Sequence, residues 1–94
     1  MIISEIMPFY RIAAGVGNDE YHIDFAKLDD AVQAYNILMK LKETSGEIKL
    51  EHHKRFSDIV FVFVDGAQIG HFEMDYPSDF VNFLKKIFPN LKEV

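Results

Sequence analysis

The segment Ile59-Val60-Phe61-Val62-Phe63-Val64, closed by Asp65-Gly66, constrains this chain more than any other. Six consecutive β-branched or aromatic residues leave no polar face, whereas a half-buried strand alternates apolar and polar residues. The run therefore predicts an internal strand with both faces covered, by helices, a second layer or a partner chain. Asp-Gly is a favoured two-residue hairpin turn. The stretch from Ala67 to Met74 is thus expected to return antiparallel to the run, with Gly70 marking a bulge or a close approach.

The remaining elements follow from periodicity. Phe9 to Ala14 reads as a first strand started by Pro8. Gly15-Val16-Gly17-Asn18-Asp19 reads as a turn cluster, and Tyr21 to Phe25 alternates as a second strand hairpinned to the first. Leu28, Ala31, Val32, Tyr35, Leu38 and Met39 recur at helical spacing and predict a helix; Ala34, Ile37 and Leu41 widen the stripe, so the helix is expected to be buried over more than one face-width. Asp29 and Asp30 suit its first turn, and Lys40 and Lys42 its last. Gly46 is expected to end it in the left-handed conformation. Ile48 to His53 alternates as a third strand, and Phe56-Ser57-Asp58 turns into the apolar run. Pro77 and Asp79 start a last helix, striped by Phe80, Phe83, Leu84, Ile87 and Phe88 and stopped by Pro89.

The expected fold is a single α+β domain over residues 1–94, of order ββαβββα, with a mainly antiparallel sheet and two helices. If both helices lie on one face of the sheet, the other face of the central strand is left for a dimer or partner. If one helix lies on each face, nothing is left over. Strand order is not readable from the sequence.

Composition excludes several classes. With 49 % hydrophobic residues, nine Phe and four Tyr, the chain can build a core without staples. With no Cys, disulfides, thiolate metal sites and Cys nucleophiles are ruled out. No apolar run approaches the roughly 20 residues of a membrane helix. Met1-Ile2-Ile3-Ser4-Glu5 lacks a basic leader, so a cytoplasmic location is expected. The net charge is −5, and its distribution matters more than its sum. No Lys or Arg occurs from Ser57 to Leu84, where Asp58, Asp65, Glu73, Asp75 and Asp79 all fall. Asp19, Glu20, Asp24, Asp29 and Asp30 form a second acidic group, and the bases gather at Lys40 to Arg55 and Lys85 to Lys92. Such a surface repels phosphate backbones and steers toward basic partners.

No motif assigns a reaction. His52-His53 and His71 with Glu73 are the first candidates for metal-ligand chemistry, but they sit on strands flanking the central one, roughly 10 Å apart, and no HExxH spacing supports them. Gly15-Val16-Gly17-Asn18 lacks the third Gly, the Lys and the following helix of a phosphate loop. Asp29-Asp30 is explained by a helix start and Asp65 by its turn, so no carboxylate pair points to general acid–base catalysis. The stretch Lys49 to Arg55 beside Phe56 has bases next to an aromatic, as single-strand binders do. Glu51 interrupts it and Glu47 precedes it, and nucleic acid is not the expected partner.

The function expected on these grounds is non-enzymatic, with no cofactor and no metal. It is that of a small acidic inhibitor, immunity or regulatory protein docking an acidic face on a basic protein partner. Inhibitors of host defence enzymes carried by phages or mobile elements are examples of the type. The residues expected to carry it are Asp65, Glu73, Asp75, Tyr76 and Asp79. Two alternatives stand beside it: a homodimer with a structural or ligand-binding role through a spare sheet face, and a metal-dependent site around His52, His53 and His71.

Overall fold

The computed structural model describes residues 2–3 and 9–94 of the chain. Pro8, expected to start the first strand, lies outside the described residues. A short β1 (Ile2–Ile3) pairs antiparallel with β2 (Tyr10–Val16), which turns back into β3 (Asp19–Phe25) to give a three-stranded sheet in the order β1-β2-β3. Gly17, at φ 61°, makes the β2–β3 connection two residues long. Both strands therefore run further toward the turn than expected, up to the Val16–Asp19 pair. Ile12, Ile23 and Phe25 are buried. The cross-strand pair Arg11–Asp24 lies at the surface, with Arg11 Nε donating to Asp24 Oδ1 at 2.7 Å.

α1 (Leu28–Lys42) keeps the expected bounds, with Asp29 and Asp30 in its first turn and Lys40 and Lys42 in its last. Its buried face is narrower than expected, confined to one flank instead of more than one face-width. Ala31, Ala34, Ile37 and Leu41 are buried, while Leu28, Val32, Tyr35 and Met39 are 38–44 % exposed. Nine of the fifteen residues are apolar, so the helix carries two apolar flanks. The flank with two alanines packs inward because small side chains let the helix approach its neighbours closely. The helix ends at Glu43 in ordinary right-handed geometry, and Gly46 is not left-handed, which corrects the expected role of Gly46. A Cβ at Gly46 would overlap the Asp65 carboxyl, 2.7 Å from its Cγ.

The second sheet is built from β4 (Ile48–His52), β5 (Ile59–Val64) and β6 (Ala67–Glu73), all antiparallel neighbours. Asp65 at φ 51° and Gly66 at φ 84° form the left-handed two-residue turn between β5 and β6. After α2 (Pro77–Ile87), β7 (Lys92–Glu93) adds in parallel beside β4, completing the order β6-β5-β4-β7. Two residues carry no periodic signal, so β7 has no mark in the sequence. Its backbone is secured by Val94 N donating to Leu50 O at 2.8 Å and His52 N donating to Val94 O at 3.2 Å. The core order is ββαβββα as expected, with β1 and β7 as short additions.

Both helices lie on the same face of the four-stranded sheet. The register slips between Val62 and Phe63, and Gly70 opposite Val62 lets α1 close in: a Cβ there would stand 3.3 Å from Ile37 Cδ1. α2 meets the same sheet through Phe80, whose ring lies edge-on to Phe72 at 4.9 Å between centroids and also meets Phe25 from β3 at 6.2 Å. Val60, Val62, Leu50, Phe72 and Phe80 are fully buried. Each contributes about 1.5–3 kcal/mol through burial. Gln33 ties α1 to the free edge of β6: its Nε2 donates to Glu73 O at 2.7 Å, and its Oε1 accepts from Glu73 N at 2.9 Å. One amide thus replaces a missing strand partner.

The opposite triplet of β5, Ile59, Phe61 and Phe63, receives no helix and is half-buried. Side chains from the flanking strands screen it. Lys49 Nζ sits 4.8 Å from the Phe63 ring centroid. His53 and His71 flank Phe61 at 5.7 and 6.4 Å.

Candidate functional site

One end of the molecule collects the acidic side chains of several elements. The chain leaves β3 at Asp24 and Phe25 and enters α1 through Lys27, Asp29 and Asp30. β5 begins beside Asp58, β6 ends at Glu73, and Asp75 and Tyr76 lead into Pro77 at the start of α2. Asp58, Glu73 and Asp29 line a shallow hollow of about 330 Å³ together with Asp30 and Asp75. A smaller adjoining hollow shares Asp30 and Asp75 and adds Asp24, Tyr76 and Asp79.

The local reasons for these placements are distinct. Pro77 presets the first helical residue and Asp79 sits in the first turn of α2, where the dipole favours a carboxylate. Asp79 N donates to Tyr76 O at 3.1 Å. Tyr76 is left outside the helix with its side chain 80 % exposed. Met74 N donates to Asp58 O at 3.1 Å, which fixes the Asp58 loop against the segment after β6.

Among the described residues seven carboxylates therefore meet at this end, against two bases. Lys27 Nζ pairs with Asp75 Oδ2 at 2.8 Å, and Arg11 pairs with Asp24. The hydrogen bond and charge of Asp75 raise the Lys27 ammonium above its ordinary value, so it stays protonated. The Arg11 hydrogen bond holds the Asp24 carboxyl below its ordinary value. The remaining five carboxylates are uncompensated by an ion pair among the described residues.

Of the residues singled out from sequence, Glu73, Asp75, Tyr76 and Asp79 come together here. Asp65 stands at the opposite end of the β5–β6 hairpin, roughly 20 Å away at about 3.3 Å per residue. Its groups serve the turn: Asp65 N donates to Glu47 O and Asp65 Oδ1 accepts from Glu47 N, both at 2.9 Å. The acids Asp24, Asp29, Asp30 and Asp58 belong to the cluster but were not among the expected site residues. They lie far apart in the chain, and only strand order and helix placement unite them.

The histidines diverge. His52 Nε2 is 2.6 Å from Glu93 Oε2, and Glu93 also pairs with Lys85 of α2. Lys85 first, then His52, pull the Glu93 carboxyl below its ordinary value. His53 is on the other side of the sheet, its Nδ1 accepting from Arg55 N at 2.9 Å and Phe56 N at 3.1 Å. His71 is separated from it by the Phe61 ring. Among the described residues no three His, Asp or Glu side chains are arranged to hold a metal ion. Gly15-Val16 end a strand and Gly17-Asn18 form its turn.

A third concavity, which no sequence pattern marks, lies between β2, the second half of α1 and the end of α2. It measures about 370 Å³, with Ile12, Ala14, Tyr35, Leu38, Met39 and Phe88 among its walls and Lys42 at its rim. Among the described residues no helix is long and apolar enough to cross a membrane. Comparison with protein-family models, with curated proteins and with solved structures finds no match to this chain.

Proposed function

We propose that this chain is a binding protein of the inhibitor, immunity or regulatory type, which docks its acidic end on a basic surface of another protein. The observation that carries this reading is the gathering of seven carboxylates in two adjoining hollows, four of them in the one that a tyrosine 80 % exposed also lines. An exposed aromatic inside a ring of like charge supplies the two ingredients of such an interface. The ring steers the encounter and selects for basic partners. The tyrosine is a rigid anchor of the kind that dominates interface energetics. Glu73, Asp75, Tyr76 and Asp79 form the centre of this surface, while Asp65 is assigned to the hairpin turn and left out of it.

The homodimer through the spare sheet face has weaker support, because Ile59, Phe61 and Phe63 are already half-covered by Lys49, His53 and His71.

The test is capture from the native host with the wild-type chain and with Glu73→Lys/Asp75→Lys/Asp79→Lys, each repeated at high salt. A partner held by the wild type, lost by the variant and weakened by salt supports the reading, provided the melting temperature of the variant holds. Equal capture by both chains refutes it. Tyr76→Ala is the companion variant and is expected to weaken binding with little effect on salt dependence.

A further inference from the structure

We infer that the exposed flank of α1 is a docking surface for a second copy of this chain, with the two α1 helices antiparallel. This goes beyond the acidic-end reading and does not depend on it. Leu28, Val32, Tyr35 and Met39 are spaced four, three and four residues apart, the spacing of a two-helix seam. All four are 38–44 % exposed, and they are four of the seven large hydrophobics so exposed among the described residues. The apolar groove beside β2 continues this seam, since Tyr35 and Met39 form part of its wall.

Charge selects both the occupant and its direction. The first turn of α1 carries Asp29 and Asp30 and its last turn Lys40 and Lys42. Among the described residues Asp29 and Lys42 have no ion-pair partner. In an antiparallel pair each acidic turn lies beside the basic turn of the other copy, and the helix dipoles oppose. A parallel pair would bring acid to acid and base to base. The antiparallel arrangement sets Leu28 against Met39 of the second copy and Val32 against its Tyr35. It repeats by two-fold symmetry, so each contact occurs twice.

The extent of the seam sets its strength. Fifteen residues of helix run about 22 Å and about 10 Å across, a strip of roughly 220 Å² that falls short of the roughly 800 Å² per partner of a standard interface. The dimer is accordingly reversible, forming in the micromolar range.

Sedimentation equilibrium or light scattering across a concentration series reads this directly. The expected result is a monomer–dimer equilibrium that Val32→Glu/Tyr35→Glu abolishes. Circular dichroism should stay native, because neither side chain lies in the core. Asp29→Lys and Lys42→Glu alone should each raise the dissociation constant about tenfold, since each change is felt twice in the symmetric pair. An equimolar mixture of those two variants should recover dimer. Should Val32→Glu/Tyr35→Glu misfold, the charge variants decide by themselves. A monomer at every concentration overturns the inference, as does a dimer indifferent to all of these changes. Weakening by Val32→Glu/Tyr35→Glu with no response to the charge variants overturns the antiparallel arrangement.

Discussion

Replacing Gly46 with alanine tests whether the turn after α1 is shaped by glycine's conformational freedom or by the space that Asp65 occupies. Gly46 is not in the left-handed region, so alanine suits its backbone. On backbone grounds alone Gly46→Ala should stabilise the chain by about 0.4–1 kcal/mol, by restricting the unfolded state. The added Cβ, however, would stand 2.7 Å from Asp65 Cγ and 2.9 Å from Oδ1. The carboxylate must rotate away, and the bond it accepts from Glu47 N at 2.9 Å is lost. A hydrogen bond to a charged group contributes about 1.5 kcal/mol at the low end suited to an exposed site. Forcing the side chain off its rotamer adds about 1 kcal/mol. The net expectation is a loss of about 1.5–2 kcal/mol, a fall of roughly 6–15 °C in melting temperature for a chain of this size. The discriminating control is Asp65→Gly, which removes the carboxylate and tolerates the φ of 51° at that position. In that background Gly46→Ala should stabilise. Thermal melts of the four chains give a coupling of about 2.5 kcal/mol if the reasoning holds. A coupling under about 0.5 kcal/mol, or a wild-type background in which Gly46→Ala raises the melting temperature, refutes it.

Two further outcomes follow from the hydrogen-bond and charge pattern. Gln33→Ala removes both amide bonds to Glu73 and should destabilise by about 1–2 kcal/mol, with faster hydrogen exchange at the Glu73 amide; unchanged exchange there would show that the amide does not hold the edge of β6. Glu93 is held below its ordinary value of 4.5 by Lys85 and His52, so its contribution is present above that value and fades as pH falls through the depressed one. Glu93→Gln should therefore lower the melting temperature at neutral pH, and the difference from wild type should shrink in acid. A difference constant with pH would contradict the assignment.

Some elements were legible because local chemistry suffices to define them. Asp65-Gly66 can adopt the left-handed pair that a two-residue hairpin requires, and the unbroken apolar run from Ile59 to Val64 is satisfied only inside a sheet. Pro77 and Asp79 mark the start of α2 because they suit its unpaired amides and its dipole. The stripe of α2 is single, so Phe80, Phe83 and Leu84 face the core as their spacing predicts. α1 differs because it has two apolar flanks. Periodicity finds both and ranks neither, and the buried one is the flank whose Ile37 closes on Gly70 of β6. The candidate site divides in the same way. Glu73, Asp75, Tyr76 and Asp79 are close in sequence and stay close in space. Asp65 shares a hairpin with Glu73, but a strand's length separates them.

The sequence by itself determined the element order, the internal position of β5 and the acidic character of the surface, because propensity, period and charge are local or additive properties. The tertiary structure decided which face of β5 the helices cover, which flank of α1 remains open, and that Asp24, Asp29, Asp30 and Asp58 join Glu73, Asp75 and Asp79 at one end. It also set the parallel addition of β7 and the use of Gly46 as space for a carboxylate. Each of these depends on contacts between segments far apart in the chain. Such contacts are fixed by which surfaces can pack closely while every backbone group finds a partner, and no local pattern records that.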